Sequence, residues 1–322
     1  MYKLRSWIDI NKLDIYELSM NKNIIYLPEF REKLDKVDFK EPYIINWYGL
    51  SRNHNAIDIL EKIKHKIDWT ALSHNQNAIF ILDKNQNQID FDALSSNPSA
   101  IHILEKNLDK INWCLLSRNP SSLHLLEKNL DKVDWCNLSY NPSAIHILEK
   151  NLSKINWSLL SLNHNAIHLL EKNIDKINWN ALSTNPYALY ILERNLIEID
   201  WYLLSRNTFA ISILEKNLDK VDWDALSGNS CAVHILEKNM HKINWKFLSG
   251  NVSALHLLEK NQSKIDWVYL SGNSSIFELD YDALKKRCSI YKEELIQKTM
   301  HPLRIQRYLD DGYDIDEIDN LL

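Results

Sequence analysis

The sequence predicts an all-α protein, an α-solenoid of eleven to twelve two-helix repeats with atypical terminal segments. Three observations carry that prediction. Aromatic residues recur every 22 residues, at Trp47, Trp69, Phe91, Trp113, Trp135, Trp157, Trp179, Trp201, Trp223, Trp245 and Trp267, and a period of this size marks a stacked array. Apolar residues within a unit follow helical spacing, as in Ala100, Ile101, Ile103 and Leu104. Asn or Asp stands at fixed places ahead of each apolar stretch, where helix caps are needed.

With the aromatic residue as position 1, Leu fills position 4, Ser position 5 and Asn position 7 in every such unit, from Leu50, Ser51 and Asn53 to Leu270, Ser271 and Asn273. Position 22 is Asp or Asn and caps a short helix bearing the aromatic residue and Leu. Asn at position 7, as in Asn97, Asn119, Asn141 and Asn163, starts a second, longer helix. In four units Pro98, Pro120, Pro142 or Pro186 follows it, at a place where the missing N–H costs nothing. This second helix is expected to end at position 17, where residues such as Asn107 and Asn129 take the left-handed conformation and an apolar residue at 18 packs back, as in a Schellman ending. Trp69, Trp113, Trp135, Trp157, Trp179, Trp201, Trp223 and Trp245 are expected to join the Leu and Ile columns in one continuous core, each large side chain contributing about 1.5–3 kcal/mol. At ~8–10 Å per helix layer the stack is expected to be a curved rod ~100 Å long.

Ile15, Leu18, Ser19 and Asn21 fit the same frame. Residues 1–46 therefore read as an N-terminal cap with a degenerate first repeat over 15–39 and an insertion at 40–46. Residues 47–277 are the regular array, and 278–322 a C-terminal helical cap in which Pro302 and Gly312 bracket a helix. The composition, 45% apolar and 25% charged with a net charge of -5, is that of a folded chain. Cys114, Cys136, Cys231 and Cys288 form no CxxC pair, which suits a reducing, intracellular compartment. No apolar run approaches the ~18 residues of a membrane span.

The repeated phrase WxxLSxNPxAIxILEKNxDKID, followed by HPLRIQRYLDDG at 301–312, resembles the tandem-repeat proteins of giant DNA viruses of the mimivirus type. The resemblance covers most of the chain and agrees with the abundance of Asn, Lys, Ile and Tyr, residues with AT-rich codons. It implies a viral source, with the host cytoplasm or the virion as setting, and carries no activity. More loosely, the alternation of short and longer helices is similar to the leucine-rich repeat variant, and RYLDDGYDID to the end of an ankyrin-type repeat.

Two columns invite a functional reading. Position 12 holds His102, His124, His146, His168, Tyr190, Ser212, His234 and His256. Units ~10 Å apart cannot share a metal ion whose ligands lie ~2 Å away, so no metal is expected. Each His is expected to pair with the Glu three residues on, as His102 with Glu105, with a recognition stripe as the alternative. Variation between units gathers at positions 2, 3, 6, 8 and 9, where Arg118, Tyr140 and Arg206 are natural binding anchors and Tyr187, Tyr202, Phe209 and Lys246 add diversity. Acids and bases balance in EKNLDKID, so a nucleic-acid partner lacks its basic footprint. The sequence contains no Gly-rich phosphate loop, GxSxG or HExxH. The expected function is a non-catalytic protein–protein interaction scaffold without cofactor. The alternatives are a modular reader of single-stranded RNA, one base per repeat, or a structural component of a viral particle or factory.

Overall fold

A computed structural model describes residues 2–27, 30, 45–299 and 301–313. Residues 40–44 of the expected insertion and the acidic end beyond 313 lie outside them. The chain divides into two compact units, the array Ser6–Ile276 and a smaller unit formed by the two terminal segments. As predicted, nearly all the regular structure among the described residues is helical, apart from one pair of three-residue strands in the smaller unit.

Each unit of the array opens with a helix of five or six residues, such as Trp113–Arg118, whose N-cap Asn112 accepts the N–H of Leu115. The second helix is shorter than expected and composite, a 3-10 turn (Pro120–Ser122) running into an α-helix (Leu123–Lys128). In most units a further 3-10 turn precedes the next cap, as Leu108–Lys110 does.

Leu at positions 4 and 14, with Ala at 10, Ile or Leu at 13 and Ile or Val at 21, forms the core; Leu116, Leu126, Leu138 and Leu148 are wholly buried. The tryptophans are not in it. All ten of the repeated Trp residues are half-buried, because position 1 sits at the N-terminal edge of its helix, beside the turn that closes the same unit. There a lysine from position 20 covers the ring. Lys132 Nζ lies 4.9 Å from the Trp113 centroid and Lys154 Nζ 4.2 Å from Trp135, a cation–π contact worth about 0.5–1 kcal/mol where exposed.

The second correction concerns position 17. No residue other than Gly312 has positive φ among the described residues, and Asn107 sits at φ -136°. Its side chain supplies the missing bond instead: Asn107 Nδ2 donates to the Ile103 carbonyl at 2.9 Å, satisfying one of the free carbonyls at the helix end without left-handed backbone.

Position 7 does more than cap. Asn141 accepts the N–H of Ser143 through Oδ1, while its Nδ2 donates to the carbonyls of Ser117 and Asn119 in the preceding unit, each bond 3.0 Å long. The buried serine at position 5 is a second link. Ser139 Oγ donates to the Trp135 carbonyl at 2.8 Å and accepts the N–H of Asn156, the cap of the next unit, at 2.9 Å.

The same bonds join the last unit to the first. Asn21 Nδ2 donates to the carbonyls of Ser271 and Asn273 at 3.2 and 3.1 Å, and Ser271 Oγ accepts the N–H of Asp14 at 2.8 Å. The array is therefore a closed ring of twelve units among the described residues, from the helix Ile15–Met20 to Trp267–Gly272, and not an open rod. A wedge of ~30° per repeat, well within solenoid behaviour, completes one turn. Residues 10–14 take the place of positions 18–22 in the last unit: Ile10–Lys12 form its 3-10 turn, Leu13 is buried, Asp14 caps Ile15–Met20, and Lys12 Nζ lies 5.0 Å from the Trp267 ring.

In the smaller unit, β1 (Tyr2–Leu4) pairs antiparallel with β2 (Phe277–Leu279), Lys3 opposite Glu278. Arg5 lies 3.6 Å from Glu278. The helix Tyr281–Thr299 has no buried residue among those described. The helix Pro302–Asp310 is bracketed as predicted, with Gly312 at φ 93°.

Replacing Asn141 by Ala takes the Nδ2 donor from the buried Ser117 carbonyl and one of the bonds from that of Asn119, which keeps Ser122, so urea unfolding of Asn141→Ala should show a loss of about 1–3 kcal/mol. A loss below ~0.5 kcal/mol, the scale of ordinary surface changes, would contradict the bridging role.

Candidate functional site: the inner face of the ring

The two helices of each unit lie at different radii. First helices pack directly on their neighbours all round the ring and the 3-10 starts of several second helices also meet, whereas the α-helical parts of the second helices touch one another only sparsely. In a closed ring the closely spaced elements are the inner ones. With ~9–10 Å between adjacent inner helices, twelve units place the helix axes ~18 Å from the centre, and subtracting half a helix diameter of ~10–12 Å leaves a space ~25 Å across.

On an inner helix, positions 4 and 5 face the core, so positions 2 and 6 are left on the exposed side, with position 3 between them. These are the positions where the units differ. Arg118 stacks on Tyr140 of the next unit, 4.1 Å from guanidinium carbon to ring centroid. Arg206 and Arg52 donate to the hydroxyls of Tyr202 and Tyr48 at 3.3 and 3.0 Å. Phe247 and Tyr269 meet edge to face at 6.0 Å. The charges are mixed, with Arg52, Arg118, Arg206 and Lys246 set against Glu17, Asp92 and Asp224. The sequence-predicted anchors Arg118, Tyr140 and Arg206 thus share one concave surface. Phe247 and Tyr269 went unnoticed because position 3 is often a small residue; two aromatics in succession there were the available signal.

The histidine column stands elsewhere. His124, His146, His168, His234 and His256 lie on the outer helices, each accompanied not by the Glu three residues on but by the Glu of the preceding unit. Nε2–Oε1 distances are 2.7 Å for His124–Glu105, 2.8 Å for His146–Glu127, 2.9 Å for His168–Glu149, 2.8 Å for His234–Glu215 and 2.7 Å for His256–Glu237. His102 meets Asp83 at 3.4 Å. The reason is geometric: a ~30° wedge spreads the outer helices to ~14 Å, and two long side chains extended toward each other span that gap. Tyr190 interrupts the ladder and stacks under Arg194 at 4.0 Å. No cluster of His, Cys, Asp or Glu suited to a metal occurs among the described residues. None of their helices is long and apolar enough to cross a membrane.

One inner-face group has a displaced pKa. His74 is half-buried, its Nδ1 2.9 Å from Ser96 Oγ, and burial, reinforced by Arg52 and opposed by Asp90, holds its imidazole below the ordinary range. Asp90 itself is held below the usual carboxylate range, chiefly by the N–H of Ala93, with Thr70 donating from the previous unit. Compared with protein-family models, with curated proteins and with solved structures, the chain matches none.

His74 fixes the sign of one pH effect. Its folded pKa lies below its unfolded value near ~6.5, so as pH falls through that range the unfolded chain takes up a proton that the folded protein resists. Stability should be undiminished above about pH 7 and fall below ~6.5, and His74→Gln should remove part of that acid-side loss in unfolding curves recorded from pH 7.5 to 5. An identical pH dependence in the variant would contradict this. In the outer ladder, His124→Ala with His146→Ala should cost no more than about 1 kcal/mol per exposed pair, against the larger loss from Asn141→Ala.

Proposed function

We propose that the protein is a non-catalytic scaffold that binds a protein partner on the inner face of its ring. One observation carries the reading: the residues that repeat hold the ring together, and three of the five positions that vary from unit to unit, 2, 3 and 6, lie on the inner helices. Asn141, Ser139 and Leu138 have fixed structural tasks. Arg118, Tyr140, Tyr202 and Arg206 stand on the inner face, and Arg and Tyr are the residue types that dominate protein interfaces. A concave surface of this extent lets many modest contacts add up, as in other curved repeat arrays.

A nucleic-acid reader draws support from the single side chain that nine of the twelve units present at position 6. The inner-face charges argue against it, since the four cations named above are offset by three acids, and backbone binding draws its affinity from uncompensated Lys and Arg. The outer histidines, each already paired with an acid, act as a brace between units.

The test is affinity purification from the cell of origin, with and without nuclease, using the wild type, the inner-face variant Arg118→Glu with Tyr140→Ala, and the outer variant His124→Ala with His146→Ala. The proposal expects a partner protein that survives nuclease, is retained by the outer variant and is lost, at least tenfold, from the inner one. Recovery that disappears with nuclease, or that the inner variant leaves unchanged, would overturn it.

A further inference from the structure

One arc of the inner face differs from the rest. Position 6 carries a side chain in nine units, from Met20 and Arg52 to Thr184 and Arg206, and then glycine in three successive ones, Gly228, Gly250 and Gly272. The fold does not require these glycines. None has positive φ. A Cβ would meet nothing closer than 3.6 Å at Gly228, 3.8 Å at Gly250 and nothing within 4 Å at Gly272. Position 6 is the last residue of its helix at Gly250 and Gly272 and the C-cap at Gly228, where a side chain is as readily accommodated as glycine. Three glycines in a row, where alanine fits, leave space on the ring's inner side as the feature to be explained.

That space is bounded by particular chemistry. A cavity of about 170 Å³ is lined by Tyr202, Arg206, Ala225, Gly228 and Phe247. Its floor, Ala225 and Gly228, is small, and its walls are two aromatic rings. Arg206 donates to the Tyr202 hydroxyl at 3.3 Å and meets no carboxylate within ion-pair distance among the described residues. Lys246, on the next inner helix but one, lies over the Tyr269 ring at 5.0 Å, likewise without an acid. The nearby Asp224 is engaged by Asn244 Nδ2 at 3.0 Å. The volume falls below the ~300 Å³ at which sites for whole small molecules begin and suits a single amino-acid side chain with its neighbours lying along the glycine track.

From this arrangement we infer that the Tyr202–Arg206–Phe247 cavity, with the track over Gly228, Gly250 and Gly272, is the recognition subsite for an acidic peptide segment of the partner. A carboxylate pairs with Arg206, an adjacent apolar or aromatic side chain packs on Phe247 and Ala225, and the backbone runs past the glycines toward Lys246. Guanidinium pairs with carboxylate in fork geometry, and the aromatic walls exclude water from that pair. The inference rests on the inner-face reading above and adds to it the sector and the chemistry of the ligand.

The test is selection of a phage-displayed library of short random peptides on the full-length protein, run in parallel on Gly228→Leu, Gly228→Ala and Arg206→Glu. Leu fills the cavity without demanding a new backbone conformation, and Ala is a control that the 3.6 Å clearance tolerates. Melting curves confirm that each variant is folded. The expected result is enrichment of peptides with Asp or Glu beside Phe, Leu or Tyr on wild type and Gly228→Ala, at least tenfold weaker binding to Gly228→Leu, and preference for basic peptides on Arg206→Glu. Enrichment of peptides without acidic bias, or of acidic peptides that bind Gly228→Leu as well as wild type, would overturn the subsite. If such peptides lost binding in the Arg118→Glu, Tyr140→Ala variant instead, the subsite would fall while the inner-face reading stood.

Discussion

A buried asparagine amide sets the distance between consecutive units. Asn141 is typical: it is wholly buried, and its Nδ2 reaches two carbonyls of the preceding unit at 3.0 Å while Oδ1 holds the start of its own second helix. A side chain with only two rotatable bonds cannot stretch, so adjacent inner helices are held at close packing distance. Short ties of this kind reach the outer helices only at the starts of some, as Asn165 Nδ2 to the Pro142 carbonyl at 3.0 Å, and none links their α-helical parts among the described residues. They are joined by extended His–Glu pairs, which tolerate the wider spacing. Short links inside and long links outside make each unit a wedge, and the curvature follows. No buried side-chain polar atom among the described residues lacks a partner, as the price of burying one Asn and one Ser per unit requires.

Closure resolves the usual difficulty of repeat arrays, whose end units expose an apolar face. Here the open face of the Trp267 unit meets the Ile15 unit through the same bonds that operate between interior units. The last unit is assembled from two distant parts of the chain. Its first helix comes from residues 267–272, and its closing turn and cap come from Ile10–Lys12 and Asp14. Joining the first unit of the array to the last in this way removes free edges, and it turns a row of variable side chains into an inward-facing surface.

Much of this was legible from residues taken singly. The caps at position 22, the Pro starts at Pro98, Pro120 and Pro142, and the helix between Pro302 and Gly312 all appear where the sequence placed them. What escaped depends on relations between units. The tryptophans looked like core because of their size, but their place at the helix edge leaves them half-buried under Lys132 and its equivalents. His124 was assigned the wrong glutamate because three residues along a helix and one unit back are equally reachable on paper. Asn107 was assigned left-handed backbone, yet its own amide does that work. Closure depends on a per-unit angle that no single repeat displays. One clue was present: Ile10, Lys12, Leu13 and Asp14 repeat the pattern of Leu108, Lys110, Ile111 and Asn112, the tail of a repeat standing at the front of the chain.

The most direct test of the closed ring is one distance. Tyr16 and Val268 occupy position 2 of the first and last inner helices and are both exposed. Spin labels placed there as Tyr16→Cys and Val268→Cys, with the four native exposed cysteines replaced by Ser, can be measured by pulsed electron resonance in solution. Ring closure predicts labels on neighbouring helices whose axes are ~10 Å apart, and so a short, narrow distribution below ~25 Å once the label arms are included. A separation several times larger, approaching the ~100 Å of an open stack, would contradict closure and with it the enclosed inner face on which the functional account depends.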